Sequence, residues 1–290
     1  MTVGIIFALL SAILSTLSAV FQKKVLKNIS VISFSFLINL LILIYTLFLL
    51  PYISLDISLW NNILLIIKSL FVNVAFFFVM RSIQQLNLSE ALPLLALSPI
   101  PLSLFAALIL NEYLTFLQGL ALLSILLGVY LIELPNSKDL FHPFKLLIQK
   151  KYHTVLIALG IFITTSIIDR YLLGKQNFPV LQIILYQHLI GALFFFFLLL
   201  LHKEAKTLQQ AINPVFWIIV LISIFTIGYR IFEFLSVKNI PVAIAISLKR
   251  VSVLIAVVIG GKYFKEEHLK YRIPATVLIL TGITIFLLQR

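Results

Sequence analysis

Residues 111–129 read NEYLTFLQGLALLSILLGV, and the spacing of two residues within this stretch decides the fold. Glu112 and Gly128 recur as Glu266 and Gly282, since 266 − 112 and 282 − 128 both equal 154. Neighbouring positions align at the same offset: Ser98 with Ser252, Pro99 with Val253, Asn111 with Lys265, and Val129 with Ile283. A common offset over this length indicates that the second half of the chain repeats the first.

The composition is typical of a protein that folds in a lipid bilayer. Of the 290 residues, 62% are hydrophobic and 11% are charged, whereas soluble domains average roughly 45–50% and 25%. A soluble core of this length could not cover so many apolar side chains. The absence of cysteine excludes disulfides and thiolate chemistry. The net charge of +12 does not indicate a nucleic-acid partner, because the Lys and Arg residues mostly flank apolar runs, as membrane topology signals do.

Ten apolar segments of near-spanning length follow one another along the chain. Their apolarity is continuous rather than alternating, which predicts helices instead of barrel strands. The first segment is a retained span rather than a cleaved leader, because no positive residue precedes it and no small-x-small cleavage site follows it. The predicted spans are 3–22, 31–50, 61–80, 91–110, 114–133, 153–173, 180–201, 214–237, 241–261 and 271–289.

The polar connection 134–152 separates these spans into two sets of five. We therefore predict an all-α integral membrane protein of ten transmembrane helices. It has a five-helix repeat over 1–134, a connecting loop over 135–152 and a second five-helix repeat over 153–290. An odd number of spans per repeat turns the second copy upside down. Inverted repeats are a recurrent plan of transporters, in which the substrate site lies near the midplane between the copies.

The spacing of Pro99, Glu112, Gln118-Gly119 and Gly128 resembles the EamA-type branch of the drug/metabolite transporter superfamily. The resemblance covers essentially the whole chain. It implies a multi-pass carrier of the cell membrane that moves small metabolites by alternating access. The patterns GxSxG, HExxH, Walker A and paired aspartates do not occur in the sequence. We therefore expect no enzymatic activity, no cofactor and no metal site.

Lys249 and Arg250 stand side by side within the apolar run 241–261. A cation at the centre of a membrane helix costs roughly 2.5–3.5 kcal/mol, so the pair costs about 5–7 kcal/mol that a partner must offset. Three partners are open: an anionic substrate between the halves, the carboxylates of Glu233 and Asp169 in neighbouring spans, or water in a cavity.

The stretch SLKRVSVLIAVVIGGKYF at 247–264 is similar to the ninth-helix motif of triose-phosphate/phosphate translocators, which belong to the same superfamily. That resemblance implies that Lys249 and Arg250 bind the phosphate of the substrate. Those translocators carry a further Lys in the fourth helix, at the place that Leu95 fills here. With one cation fewer, a carboxylate or a zwitterion is as plausible as a phosphate.

Other polar residues within the spans allow two interpretations each. Arg230 and Glu233, three apart on one helical face beside Tyr229, either neutralise each other or serve the substrate and a coupling proton. Asp169-Arg170, the repeat counterpart of Lys23-Lys24, either anchors the interface or forms a gate. Two further sets either line the substrate path or join helices: Ser11, Ser15, Ser18 and Gln22 in the first span, and Gln182, Tyr186, Gln187 and His188 in the seventh. His188 alone is no metal site.

Three glutamates fall near the ends of spans. The resemblance implies a structural capping role for Glu112 and Glu266, and Glu90 suits the N-terminus of a helix, where an acid is stabilised. Lys and Arg concentrate in the connections after the odd-numbered spans, which places both termini outside by the positive-inside rule.

Together these observations predict a secondary transporter of a small polar metabolite, with an anionic phosphorylated or carboxylate-bearing substrate favoured. Its expected partners are that small molecule and membrane lipid, with coupling to protons or to a counter-substrate open. The alternatives are an exporter of amino acids or of lipophilic or cationic compounds, and a non-transporting membrane assembly factor. The predicted substrate-binding residues are Lys249, Arg250, Arg230, Tyr229, Gln187 and Tyr186, and Glu233 and Asp169 are assigned to coupling or ion pairing.

Overall fold

A computed structural model of the chain describes residues 1–52, 58–85, 98–133, 149, 152–203, 208, 215–252, 255 and 273–288. These residues form α-helices joined by short turns, with no β-strand among them. The helices are α1 Thr2–Val25, α2 Val31–Phe48, α3 Leu59–Gln85, α4 Pro99–Leu110, α5 Phe116–Glu133, α6 His153–Arg170, α7 Val180–Leu201, α8 Phe216–Asn239, α9 Val242–Lys249 and α10 Ile273–Leu288. Glu90, Leu95, Glu266 and nearly all of the predicted connecting loop lie outside the described residues.

Six of these helices are long and apolar enough to cross a membrane. They are α1, α2, α3, α7, α8 and α6 together with the π-helical turn Tyr171–Lys175 that extends it. Large apolar side chains remain exposed on the outer surface, for example Leu108, Phe197 and Trp217 at 69%, 62% and 79%. Such a surface suits lipid rather than water. The described part of the chain is thus helical, and its six long apolar helices are those of a multi-pass membrane protein, as the composition predicts.

Local sequence signals explain where several helices begin and end. The hydroxyl of Ser30 caps α2 by accepting the backbone N–H of Ser33 at 3.1 Å. Pro99 occupies the first turn of α4, where its missing N–H costs nothing. Asn111 ends that helix in the left-handed conformation, which Asn tolerates better than most residues. The turn is closed by a 3.2 Å hydrogen bond from the N–H of Glu112 to the carbonyl of Ala106, and this fixes the position of Glu112.

Helices α5 and α10 cross closely at Gly128 and Gly282. A Cβ atom on Gly128 would lie 2.7 Å from the carbonyl oxygen of Ala275, and one on Gly282 would lie 2.6 Å from that of Ala121. Since 121 + 154 = 275, the two contacts are equivalent under the repeat. The contact is therefore reciprocal between equivalent positions of the two halves of the chain.

The other helix pairs also correspond under the repeat, in which α1 to α5 match α6 to α10. Helix α1 packs against α8 and α3 packs against α6, while α2 packs against α7 and α4 against α9. Gly4 near the start of α1 lies against Ile240, which follows α8, so α1 and α8 run antiparallel. We call the end of the bundle at Gly4 the N-terminal end. Lys23, near the other end of the 24-residue α1, marks the opposite end.

Candidate functional site

A cavity of about 140 Å³ lies between α1, α3, α4, α6, α8 and α9. Because a space of roughly 10–15 Å³ on the same measure holds one water, a cavity of this size suits a small metabolite. Six of the eight predicted site residues line it: Asp169, Tyr229, Arg230, Glu233, Lys249 and Arg250. The structure therefore brings together residues from three helices that the sequence left unconnected.

The other two predicted residues lie elsewhere. The hydroxyl of Tyr186 donates to Asn62 Oδ1 at 2.8 Å, which joins α7 to the start of α3. Gln187 is buried behind the cavity, where its Oε1 accepts a hydrogen bond from Lys68 Nζ at 2.9 Å. Tyr186 thus joins two helices, and Gln187 belongs to a polar layer between α3 and α7.

The position of Lys249 and Arg250 differs from the prediction of one uninterrupted helix over 241–261. Helix α9 ends at Lys249 and Arg250 follows in a turn as its C-cap, with its N–H bonded to the carbonyls of Ile246 and Ser247. Val251 and Ser252 are helical again, so the chain is interrupted at Arg250. The last carbonyls of a helix carry partial negative charge, which stabilises nearby cations. The end of α9 therefore offsets part of the cost of burying this pair.

Glu233 on α8 bridges two cations of the cavity wall. Its Oε1 lies 2.6 Å from Lys249 Nζ, and its Oε2 lies 3.0 Å from Arg230 Nη1. Lys249 Nζ and the Arg230 guanidinium also lie 4.9 Å and 5.4 Å from the centre of the Tyr229 ring, within cation–π range. The predicted Arg230–Glu233 pair therefore exists, and it includes Lys249.

Asp169 does not contact Lys249 or Arg250. Its carboxylate pairs instead with Lys68 on α3, with 2.8 Å between Lys68 Nζ and Asp169 Oδ1. The side chain of Lys68 is fully buried and lies over the ring of Phe234, at 4.8 Å from its centre. Sequence reasoning missed Lys68, although a cation within the apolar run 61–80 could have been found by the rule that intramembrane charges mark functional or paired positions.

Arg250 is bonded to a neutral group. Its Nη2 and Nε lie 2.7 Å and 3.2 Å from Ser98 Oγ, at the start of α4. Among the described residues, no carboxylate lies within ion-pair distance of Arg250. The site thus contains a guanidinium that faces the cavity without a negative partner in the part of the chain that the structure describes.

The charges of the site do not balance over the described residues. Arg230, Lys249 and Arg250 line the cavity with the carboxylates Asp169 and Glu233. Lys68 does not line it but pairs with Asp169 from behind, so four cations face two carboxylates and two positive charges are in excess. The facing wall is apolar and comes from α3, α4 and α6: Val72, Phe76, Val79, Met80, Leu102, Phe162 and Ile163. The cavity therefore combines a cationic wall with a hydrophobic one.

The polar stripe of α1 serves both of its predicted roles. Ser11 Oγ donates to the carbonyl of Tyr229 at 3.0 Å, and Ser18 Oγ lies 3.0 Å from Thr226 Oγ1, so the stripe joins α1 to α8. Gln22 donates to Ser18 and also lines the cavity, together with Ser15. Small polar residues here allow close packing and add hydrogen-bonding groups to the wall.

Two basic residues hold equivalent positions at opposite ends of the bundle. Arg170 Nη1 donates to the carbonyls of Val237 and Lys238 at 2.6 Å and 3.1 Å. Lys23 Nζ donates to the carbonyls of Ile83 and Gln84 at 2.5 Å and 3.4 Å. Since 83 + 154 = 237 and 84 + 154 = 238, the acceptors are repeat mates, while the donors Lys23 and Arg170 stand 147 positions apart, one residue from the predicted correspondence of Lys23-Lys24 with Asp169-Arg170.

Glu112 completes the cluster at the N-terminal end. Its Oε1 pairs with Arg170 Nε, and its Oε2 accepts the backbone N–H of Val242, the first residue of α9, at 3.1 Å. Glu112 therefore caps a helix of the other repeat and is fixed there by Arg170. This geometry agrees with a capping role, and it also ties α4, α6 and α9 together.

Comparison with known proteins gives a consistent result. A family model described as "EamA-like transporter family" matches residues 2–134 and 149–288. A solved crystal structure of another protein aligns with 96% of this chain and 96% of its own, with a TM-score of 0.69 and 16% sequence identity, which shows a shared fold alone. A search of curated proteins gave no match.

Proposed function

Because the chain belongs to the EamA-like transporter family, typically membrane transporters of the drug/metabolite transporter superfamily, we propose that it is a secondary carrier of a small anionic metabolite. Its substrate bears a carboxylate or a phosphate and binds in the 140 Å³ cavity. Lys249, Arg250, Arg230 and Tyr229 form the binding wall. Transport is by alternating access, in the cell membrane, with membrane lipid around the bundle.

The observation that carries this proposal is the bonding of Arg250. A guanidinium in a membrane-spanning protein is costly unless it is paired or hydrated, and Arg250 contacts only the hydroxyl of Ser98 among its described polar side-chain partners. Its planar group can hold a carboxylate or phosphate through two parallel hydrogen bonds. The excess of two positive charges over the described site residues favours a substrate with one or two negative charges.

The rest of the cavity suits the remainder of such a molecule. The apolar side chains of α3 and α6, such as Phe76 and Phe162, can cover a short carbon skeleton. Serine and threonine hydroxyls of α1 and α6, such as Ser15 and Thr165, line the same space and can bond polar substituents. An exporter of cationic compounds would need an acidic wall, so the charge of this cavity disfavours that alternative.

Alternating access would use ten spans arranged as two inverted five-helix repeats. The reciprocal contacts of Gly128 and Gly282, and the equivalent bonds of Lys23 and Arg170 at opposite ends of the bundle, support that arrangement. In this scheme the Arg170–Glu112 cluster is the gate of the N-terminal end, closed by an ion pair. Opening that end requires Arg170 to release the carbonyls of Val237 and Lys238.

Glu233 is the proposed coupling residue. In the substrate-free carrier the Glu233 carboxylate forms ion pairs with Lys249 and Arg230. An entering anion competes with Glu233 for these two cations. A proton on Glu233, or a counter-substrate that replaces the first anion, would each keep the charge of the site balanced. Uptake into vesicles with a proton gradient or with a preloaded anion separates these two modes.

The test is a ligand panel on purified protein in detergent. Phosphate, phosphate monoesters, mono- and dicarboxylates, amino acids and organic amines are each added while the unfolding temperature is measured, because a bound ligand stabilises the folded state. We expect stabilisation by anions and not by amines. Stabilisation by amines alone would contradict the proposal and favour a cation exporter. If no ligand stabilises the protein, and if cells that lack the protein also lose a membrane complex, an assembly factor would be favoured.

Two pairs of variants sharpen the test. Arg250→Ala and Lys249→Ala should abolish stabilisation by the anion that binds the wild-type protein. Arg81→Ala and Lys24→Ala remove the same side chains from exposed positions and should leave it unchanged. An unaltered response of Arg250→Ala would remove Arg250 from the binding wall.

A reporter fused after Arg290 tests the proposed outside location of both termini.

A further inference from the structure

A second, smaller cavity lies behind the substrate site, between α2, α3, α7 and α8. It measures about 10 Å³, and its polar lining includes Asn39, Asn73, His188, Thr226 and Arg230. A cavity of roughly 10–15 Å³ holds one water, provided that two to four polar groups surround it. The space thus has the size and the lining of a site for a single water molecule.

The hydrogen bonds of Asn39 and His188 fix which ring nitrogen of His188 is an acceptor. Asn39 Nδ2 donates to the carbonyl of Ser35 at 2.9 Å, so Asn39 Oδ1 is the group that faces the ring. The 2.8 Å contact between His188 Nδ1 and Asn39 Oδ1 then requires the proton on Nδ1. In the neutral ring Nε2 is consequently an acceptor. It is buried and has no hydrogen-bond partner among the described residues.

Arg230 supplies the complementary donor. Its Nη1 is bonded to Glu233, whereas its Nε is buried and lacks a partner within the described part of the chain. Arg230 lines both the substrate cavity and the small one. Buried polar groups in native proteins are bonded in the great majority of cases. Two unpartnered groups of opposite hydrogen-bonding type, on residues that line one water-sized cavity, point to a shared partner.

We propose that one ordered water occupies this cavity, accepts the Nε–H of Arg230 and donates to His188 Nε2. His188 is then a positioning residue, which holds the plane of the Arg230 guanidinium towards Glu233 and the substrate cavity. Gly191 on α7 permits the arrangement, because a Cβ atom there would collide with Asn39 Oδ1 and Asn73 Oδ1. The inference rests on the proposed function only for its effect on anion binding, since the water itself does not depend on the substrate.

The direct test is a density map of the wild-type protein at a resolution that shows ordered water. We expect one peak at about 2.7–3.2 Å from both His188 Nε2 and Arg230 Nε. A map with no peak there, or with a protein group bonded to either nitrogen, would overturn the proposal.

Two substitutions separate positioning from packing. His188→Asn retains a group near the place of Nδ1 and removes the one at Nε2, while His188→Gln retains a group near Nε2 and removes the one at Nδ1. The readouts are the unfolding temperature without ligand and the apparent affinity for inorganic phosphate and for succinate. We expect His188→Asn to weaken anion binding about tenfold, the loss of one charge-assisted hydrogen bond, and His188→Gln to bind within about twofold of wild type.

If His188 has a purely structural role, the affinity for the anion should fall in each variant in proportion to the fall in unfolding temperature. If His188→Asn binds the anion as tightly as wild type, His188 is not a positioning residue. If no anion of the ligand panel binds the wild-type protein, the proposed anionic substrate class is wrong, and the density map alone then decides whether the water is present.

Discussion

Gly128 and Gly282 each lie against the helix that carries the other. Gly128 on α5 meets Ala275 and Ile279 of α10, and Gly282 on α10 meets Ala121 and Ile125 of α5. Every contact is repeated after 154 positions, and Ser124 Oγ donates to the carbonyl of its own repeat mate, Leu278, at 2.7 Å. The residues of this crossing therefore form a self-complementary surface between the two copies.

Gly128→Ala and Gly282→Ala should each lower the unfolding temperature markedly. The added Cβ atom would approach a backbone oxygen, so the helices must separate, and overpacking of this kind costs about 1–3 kcal/mol. The matched controls are Gly119→Ala and Gly160→Ala, since nothing lies within 4 Å of a Cβ at either site. They should be neutral or slightly stabilising, because Ala favours a helix over Gly by up to about 1 kcal/mol. Equal effects at all four positions would contradict the close crossing.

Loss of Glu112 should destabilise the N-terminal end of the bundle. Glu112→Ala removes both the cap of α9 and the partner of Arg170, and we expect a loss of about 2 kcal/mol or more. Glu112→Gln retains an oxygen for the N–H of Val242 and should lose less. Thermal unfolding in detergent measures both, and Tyr113→Ala, which alters a 73% exposed neighbour, is the control. A Glu112→Ala protein as stable as wild type would show that the cap contributes little.

The Lys68–Asp169 pair should behave as a coupled unit. Removing one partner of a buried pair leaves an uncompensated charge and costs roughly 3–5 kcal/mol, whereas neutralising both costs far less. We expect Lys68→Met and Asp169→Asn each to destabilise the protein strongly and the double variant to recover much of the loss. A double-mutant cycle on unfolding free energies measures the coupling. Additive effects would mean that the 2.8 Å contact contributes no interaction energy.

Glu233→Gln should make the protein depend more on a bound anion. Without ligand, Lys249 and Arg230 lose their carboxylate partner, so the unfolding temperature falls. An added anion then meets no internal competitor, and we expect its affinity to rise about tenfold. Thermal titration with the anion that binds the wild-type protein measures both effects. Glu112→Gln removes a carboxylate that does not line the cavity and leaves the Glu233 contacts intact, so it should not raise the affinity. A rise of the same size in that variant would contradict the role of Glu233.

Much of the helical framework is readable from the sequence. The predicted span 180–201 has the same bounds as α7, and the spans 3–22 and 31–50 differ from α1 and α2 by at most three residues at either end. In a bilayer an apolar run of this length has few alternatives to a helix, because the backbone N–H and C=O groups must form their hydrogen bonds within the protein. The repeat offset identified Gly128 and Gly282 as equivalent positions, but it did not show that α5 and α10 cross there.

The site was less accessible to sequence reasoning. Continuous apolarity from 241 to 261 gives no sign that α9 ends at Lys249, because a helix end in a buried region needs no polar or glycine signal when the C-cap residue keeps near-helical angles. Nor could spacing show that Asp169 pairs with Lys68 rather than with Lys249. Which of several buried charges meet depends on how the helices cross, and that is a property of the packed bundle.

Helix α9 has only eight residues, which makes it about 12 Å long. At one end its first N–H is held by Glu112, and at the other Lys249 is held by Glu233. Because its backbone hydrogen bonds span only about two turns, we expect the helix to move as one piece, so that a displacement at the Glu233 end would tilt or shift the Glu112 end. Replacement of the Glu233 carboxylate by a substrate anion would thereby move the residues around Glu112 at the N-terminal end of the bundle. No chain of side-chain contacts between the two sites would be needed.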